Sequence, residues 1–266
     1  MLKQENLRPF LKPPTGIGRG HGRRKSGGKS QAPAQVAGTV PQAKTIAEAN
    51  QLAVSLGLAR HADFTDFDIS AANEMIAQIK AIKDLDPNMP ELEIIGGIAA
   101  VKFGLGGAYR DGTAYGDFVE SIAGSHKGQI GIGINSDNFS RWNMTSTLQK
   151  LKKDVATTWS PVGCGSVKSI VDHEIGHWID HKYNISKDSR IRKLFRAYHE
   201  RNEDYYTLPN GTRVYGCQKM GTALSRYANT NAKEFLAEAW AEYRNNPNPR
   251  PVAKEVGDIV MSYIRR

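Results

Sequence analysis

The sequence predicts an α+β fold in which amphipathic helices surround a small mixed sheet. Three observations support this prediction. Apolar residues recur at helical spacing in segments spread along the chain, and two shorter runs have the apolar content of strands. One helical segment carries the pattern His-Glu-Ile-Gly-His at residues 173–177, which marks it as a candidate active-site helix. A length of 266 residues is enough to bury a substantial core as one main domain.

Residues 1–45 are predicted to form a disordered basic tail, and residues 46–266 the folded domain. The tail contains nine Lys or Arg residues and one acid, Glu5, so it accounts for +8 of the formal net charge of +9. It is also rich in Gly, Pro and Ser, so it cannot bury enough apolar surface to fold. Such a flexible polycation is expected to bind nucleic acid through phosphates, or an acidic partner. A solvated leader without a partner is the alternative.

Helices are predicted where apolar residues repeat every three or four positions, near residues 45–57, 69–83, 145–157 and 250–265. In the third of these, Leu148, Leu151 and Val155 form one stripe, and the last carries Val or Ile at intervals of four. Residues 92–96 and 128–135 are predicted to be strands. Residues 104–118, which contain several glycines, are predicted to form a loop.

The helix around the motif is predicted to begin after Ser166, a residue type that favours N-caps. His173 and His177 then lie on one face, one turn apart, as two ligands of one metal ion need to be. Glu174 lies beside them and can reach a metal-bound water. On a helix this pattern is typical of zinc metalloproteases, in which the Glu is the general base. The small Gly176 would let another backbone or a substrate come close. Two helical histidines with ordinary hydrogen bonds are the alternative.

The third ligand has two candidates. His181 lies on the same face one turn further on, about 5 Å past His177 along the helix axis, which is too far for a shared ion. It is predicted to be a cation at the helix end, and Asp180 to accept a hydrogen bond from a ligand histidine. Glu234, 57 positions after His177, is the better candidate, on a helix predicted to begin near residue 230 or 231.

Glu234 and Glu238 form a like-charged pair four positions apart on that helix. Because such a pair is repulsive, something positive is expected to compensate it, and a zinc ion with its histidines would do so. In this interpretation Glu234 binds the metal, and Glu238 accepts the N–H of a ligand histidine and fixes its tautomer. The alternative is that Glu234 is only the third residue of a capping box with Asn231.

Three segments together resemble the catalytic core of the anthrax lethal factor type of zincin (gluzincin) peptidases, namely residues 173–180, 225–227 and 231–241. In that family a tyrosine precedes the glutamate ligand by seven positions and a second glutamate follows it by four. Tyr227 and Glu238 stand at these intervals from Glu234. The resemblance covers roughly residues 166–243 and implies a zincin-like metallopeptidase fold.

The resemblance also implies a role for each matching residue. The Zn²⁺ ligands would be His173, His177 and Glu234. Glu174 would be the base, and Tyr227 would sit over the zinc as an acid or as a donor to the oxyanion. Glu238 would brace a ligand. For Tyr227, a tyrosine of the surface or the core without a catalytic role is the alternative.

Zincin folds also place a sheet edge beside the metal, against which an extended substrate pairs. In residues 128–135, isoleucines alternate with Gly131 and Gly133, so one face of the predicted strand is bare backbone. Bare glycines suit close approach by another chain, which predicts substrate binding at Gly131 and Gly133. An ordinary core strand with glycines for tight helix packing is the alternative.

These residues together predict a zinc-dependent endopeptidase that hydrolyses peptide bonds through a metal-activated water with Glu174 as general base. Its partner would be a protein or peptide substrate. Residues 47–97 are similar to segments that precede effector domains in phage minor head proteins and prophage toxin proteins, which implies a phage- or toxin-associated effector. The alternatives are a non-catalytic virion or structural protein that retains the fold, and a nucleic-acid-binding protein that acts through the basic tail.

The rest of the sequence bears on location and redox state. No run approaches 18 apolar residues, so no membrane association is expected. The first residues lack the apolar region of a Sec signal, so the protein is expected to act where it is made, in a virion, or after non-Sec delivery. Cys164 and Cys217 are too few for a disulfide framework and are predicted to be free thiols. A single bridge between them is the alternative.

Overall fold

The computed structural model describes residues 40–107, 114–199, 205–207, 213–215 and 218–265. They belong to the unit that extends over Ala34–Arg266. Most of the predicted tail therefore lies outside the described residues. Ala43 is buried, and its backbone N–H and C=O both bond to the Asn73 side chain at 2.9 Å. The folded part thus begins before residue 46, where the sequence placed the start of the domain.

The helices confirm the prediction wherever the apolar repeat is regular. In chain order they are α1 (Ile46–Ser55), α2 (Ile69–Leu85), α3 (Ile98–Gly104), α4 (Met144–Ala156), α5 (Val167–Tyr183), α6 (Ser189–Tyr198), α7 (Gln218–Ala223), α8 (Ala232–Asn245) and α9 (Pro251–Ile264). Short 3-10 turns cover Gly124–His126, Ile185–Lys187 and Tyr227–Asn229. Side chains cap the starts of α1, α2, α5, α6 and α8, and the caps of α5 and α8 are Ser166 and Asn231.

The strands form a small mixed sheet, so the predicted α+β class is confirmed. They are β1 (Ala59–Asp63), β2 (Leu92–Gly97), β3 (Gly116–Glu120), β4 (Ile130–Ile134) and the separate hairpin β5 (Tyr205–Thr207) and β6 (Arg213–Tyr215). The order of the larger sheet is β1-β2-β4-β3. β2 pairs in parallel with β1 and β4, whereas β3 is antiparallel to β4 and lies at the edge.

The β4 strand corrects one functional prediction. It lies between β2 and β3 and is buried, so it is not a sheet edge. A Cβ atom on Gly131 would come within 2.7 Å of Val101 Cγ1, and one on Gly133 within 2.8 Å of Ile98 Cα. Both contacts are with α3. Gly131 and Gly133 therefore serve tight helix packing, which was the alternative, and the prediction that they bind substrate is wrong.

The predicted loop over residues 104–118 is also partly wrong. α3 extends to Gly104, and β3 begins at Gly116; residues 108–113 lie outside the described residues. The Gly-Asp-Phe-Val-Glu sequence of β3 lacks the regular alternation of apolar and polar residues that predicts a strand. This agrees with its position in the fold, where most of the strand is half-buried on both faces. This strand contacts α5 and is the sheet edge nearest to the motif helix.

α5 and α8 form the most extensive helix pair in the described chain. Trp178 on α5 and Trp240 on α8 are both fully buried in the core of this pair and its neighbours. Gly176 makes the close approach possible, because a Cβ atom there would lie 2.8 Å from Ala237 Cα. The prediction that a small residue at position 176 admits another backbone is thus confirmed, and that backbone is α8.

Candidate metal centre

Three side chains from α5 and α8 meet at one point. The Nε2 atoms of His173 and His177 are 3.2 Å apart, as their same-face spacing predicts. Glu234 Oε2 lies 3.2 Å from the first of these atoms and 3.4 Å from the second. Neither contact has hydrogen-bond geometry, and Glu234 Oε2 is buried without a hydrogen-bond partner. The three residues together could hold a metal ion.

The alternative interpretation, in which Glu234 is only a capping residue, agrees with the backbone bonds but not with the position of the side chain. The Asn231 side chain does accept from the backbone N–H groups of Lys233 and Glu234, at 2.8 and 3.1 Å. The Glu234 carboxylate, however, faces the two histidines. Burial tends to raise its pKa, but the contacts with His173 and His177 hold that pKa well below its ordinary value.

Glu238 braces His173, in the position predicted for it. Its Oε1 atom lies 2.8 Å from His173 Nδ1, which leaves Nε2 of the ring to face Glu234. Its Oε2 atom accepts from the Ser225 hydroxyl at 2.6 Å. Burial alone would lower the pKa of His173, but the carboxylates of Glu234 and Glu238 raise it well above its ordinary value.

Glu174 lies beside the ligand group in a cleft of about 650 Å³, whose other walls include Gly116, Tyr227 and Lys233. Glu174 is only 5% exposed. Burial is the main cause that raises the pKa of Glu174 to about 7; Asp117 and Glu234 add to it, and the two histidines oppose it. A bound dication would lower this pKa again, because it favours the ionised carboxylate.

Tyr227 lies in a 3-10 turn on the wall of the same cleft. Its ring centroid is 6.0 Å from that of His173 and 5.4 Å from that of Trp159. Burial, and then the carboxylates of the site, raise the pKa of Tyr227 well above its ordinary value, so the phenol keeps its proton. The structure thus places Tyr227 next to the ligand group, and its role stays a prediction.

Asp180 does not brace a ligand histidine, contrary to the prediction. Its two carboxylate oxygens accept from Ser186, from the backbone N–H at 2.6 Å and from the hydroxyl at 2.7 Å. Asp180 therefore closes the turn that follows α5. His181 lies outside the ligand group among the described residues, as expected from helix geometry. It contacts Phe118 and lies 3.5 Å from Glu120 Oε2, on β3.

Several residues of the site carry no signal in the sequence, and Ser225 and Gly116 are two of them. Ser225 lies in a segment of the resemblance that implies no role for it, yet it is fully buried and donates to Glu238. Gly116 falls in the segment predicted to be a loop, and it contacts Glu174 directly. Cys164 is a buried free thiol, as predicted, whereas Cys217 lies outside the described residues.

The chain matches no protein-family model, no curated protein and no solved structure. Within the described residues, no helix combines the length and the apolar character needed to cross a membrane.

Proposed function

We propose that this chain is a zinc-dependent endopeptidase with a zincin-like fold. The observation that carries the proposal is the triangle formed by the Nε2 atoms of His173 and His177 and Oε2 of Glu234, with edges of 3.2 to 3.4 Å. Tetrahedral zinc with bonds of about 2.0–2.2 Å requires ligand atoms roughly 3.3–3.6 Å apart. The orphaned Glu234 oxygen also supports a cation at this point.

Two imidazoles and a carboxylate are a ligand set that catalytic zinc commonly uses, and it leaves one position open. When bound, zinc supplies a Lewis acid and makes water a nucleophile at neutral pH. Glu174, buried in the cleft beside the ligands, would accept the proton of the attacking water and pass it to the leaving amine. Tyr227, which keeps its proton, would donate a hydrogen bond to the developing oxyanion.

The free edge of β3, rather than β4, would bind the substrate. Tyr115 O accepts from Asn135 N, and Ser121 N donates to Gln129 O. In an antiparallel pair every second residue bonds to the partner strand, so between Tyr115 and Ser121 every second residue bonds to β4. The backbone N–H and C=O groups of Gly116, Phe118 and Glu120 then point away from β4. In the described chain no strand pairs with that side. An extended peptide added there would run along the cleft that contains Glu174.

The test combines metal content with cleavage of casein and of a quenched-peptide library. Wild type and Glu174→Gln are both expected to contain about one zinc per chain, since Glu174 is not a ligand. Cleavage by Glu174→Gln is expected to be about 10²–10⁴-fold slower, the usual contribution of a general acid–base. Glu255→Gln is the matched control, because Glu255 is exposed and lies outside the cleft. A wild type without stoichiometric zinc would contradict the proposal.

Two other function classes give different outcomes. A non-catalytic virion or structural protein would bind zinc but cleave no peptide in the library. A nucleic-acid-binding protein acting through residues 1–45 would lose DNA retention when that segment is deleted, with the same zinc content as the full chain. The phage or toxin setting stays a prediction. The intact ligand triangle, with a buried carboxylate beside it, favours the peptidase.

A further inference from the structure

Gly116 and Glu174 are in direct contact across the cleft. A Cβ atom on Gly116 would lie 2.5 Å from Glu174 Oε1, 2.9 Å from Cγ and 3.0 Å from Cδ. Its three nearest neighbours would therefore all belong to Glu174. Such distances are well below the roughly 3.5–4.0 Å of a favourable carbon contact. The Glu174 side chain occupies the space that any side chain at position 116 would need.

The backbone at Gly116 does not itself require glycine. Gly116 is absent from the described glycines with positive φ, so an alanine could adopt its backbone conformation without strain. Glycine also weakens a strand, because it supplies no side chain to pack. The room left for Glu174 is thus the structural reason for a glycine at this position.

Glu174 has few other constraints on its conformation. Among the described residues no hydrogen bond or ion pair holds its carboxylate, whereas Glu238 is held by His173 and Ser225. Glu174 is nevertheless buried. Packing rather than hydrogen bonding must therefore fix the direction of its side chain, and Gly116 provides the facing surface.

We propose that Gly116 is a positioning residue. Because it has no side chain, the Glu174 side chain can lie against the edge strand, and this contact determines where the Glu174 carboxylate lies relative to the ligand group. This inference rests on the proposed peptidase function for its kinetic consequence, but not for its structural one. Gly116 is also the first residue of β3 whose backbone N–H and C=O point away from β4. The same position therefore aligns the Glu174 carboxylate with the backbone groups that would pair with substrate.

The test is Gly116→Ala in the full-length, zinc-loaded protein. The expected result is about a 10²-fold lower kcat on a library peptide that wild type cleaves, the cost of misplacing a catalytic group by about 1 Å. KM and zinc content are expected to stay within about twofold of wild type, because the three atoms nearest to a Cβ on Gly116 all belong to Glu174, which is not a proposed ligand. Gly97→Ala in β2 is the matched control, since a methyl group there would meet nothing closer than 3.6 Å.

A double-mutant cycle separates positioning from general damage to the fold. If Gly116 acts only through Glu174, adding Gly116→Ala to Glu174→Gln should leave kcat unchanged within about twofold. A further drop of about 10²-fold in the double variant would overturn the proposal, and so would a Gly116→Ala enzyme with wild-type kcat.

A crystal structure of zinc-loaded Gly116→Ala keeps the inference testable if wild type cleaves no peptide. The expected result is a Glu174 carboxylate displaced from its wild-type position, with the His173, His177 and Glu234 side chains unmoved. A Glu174 side chain in its wild-type position would overturn the inference. Absence of cleavage by wild type, with Glu174 displaced in the variant, would contradict the proposed function alone.

Discussion

Replacing Gly176 by Ala is expected to push the two ligand-bearing helices apart. The added methyl carbon would lie 2.8 Å from Ala237 Cα and 3.2 Å from Ala237 Cβ. A relaxed carbon contact needs about 3.5–4.0 Å, so α5 and α8 would have to separate locally by up to about 1 Å. Over-packing of this kind costs about 1–3 kcal/mol, and the better helix propensity of Ala returns about 1 kcal/mol.

The larger effect is expected on the metal centre. Separation of the helices would lengthen the distances from Glu234 to the two histidines, now 3.2 and 3.4 Å. We expect zinc affinity to fall by about 10–100-fold, as for changes to residues that orient metal ligands. Competition with a chelator of known affinity measures this fall, and thermal unfolding measures stability. Gly165→Ala is the control, because its nearest contact would be the flexible Lys152 side chain at 3.4 Å. Unchanged zinc affinity in Gly176→Ala would refute the reasoning.

Three further predictions concern charge. The carboxylates of Glu234 and Glu238 raise the pKa of His173, so zinc would have to displace a proton from this ring. Zinc affinity should therefore rise with pH up to the raised pKa, and calorimetry in buffers of different ionisation enthalpy should detect proton release. Glu238→Gln should weaken zinc binding by about 10–100-fold in chelator competition, and an unchanged affinity would exclude a bracing role. Burial opposes ionisation of Asp86, but bonds from Lys182 and Tyr183 lower its pKa, so its stabilisation exists above its ordinary pKa and is lost as pH falls through the lowered value. Asp86→Asn should therefore lower the melting temperature at pH 7, and this difference should shrink in acid.

The candidate metal centre was largely predictable because its main constraint is local. A spacing of four on a helix places His173 and His177 on one face whatever the rest of the chain does. Glu234 required more, because nothing local connects residues 57 positions apart. Its repulsive pairing with Glu238 and the family resemblance supplied the link, and the packing of α5 on α8 brings the three side chains together.

The sheet was less predictable because its residues respond to tertiary neighbours. The Gly-Ile alternation in β4 is compatible with either an open edge or a covered core strand, and only the position of α3 decides between them. β3 has a weak apolar pattern because it is half-buried at the edge. Asp180 was misassigned for a similar reason, since its partner Ser186 lies in a turn that was not predicted.

The packing of α5 on α8 has a consequence for how a metal ion would bind at the candidate centre. The proposed ligands stand on a helix pair whose tryptophans, Trp178 and Trp240, are fully buried in the hydrophobic core. Folding of this core would therefore order the proposed ligand side chains before a metal ion binds. Unlike small zinc modules that unfold on chelation, this protein should tolerate stripping and reloading. The hydrophobic core would act as the template for the metal centre, and the ion as its exchangeable occupant.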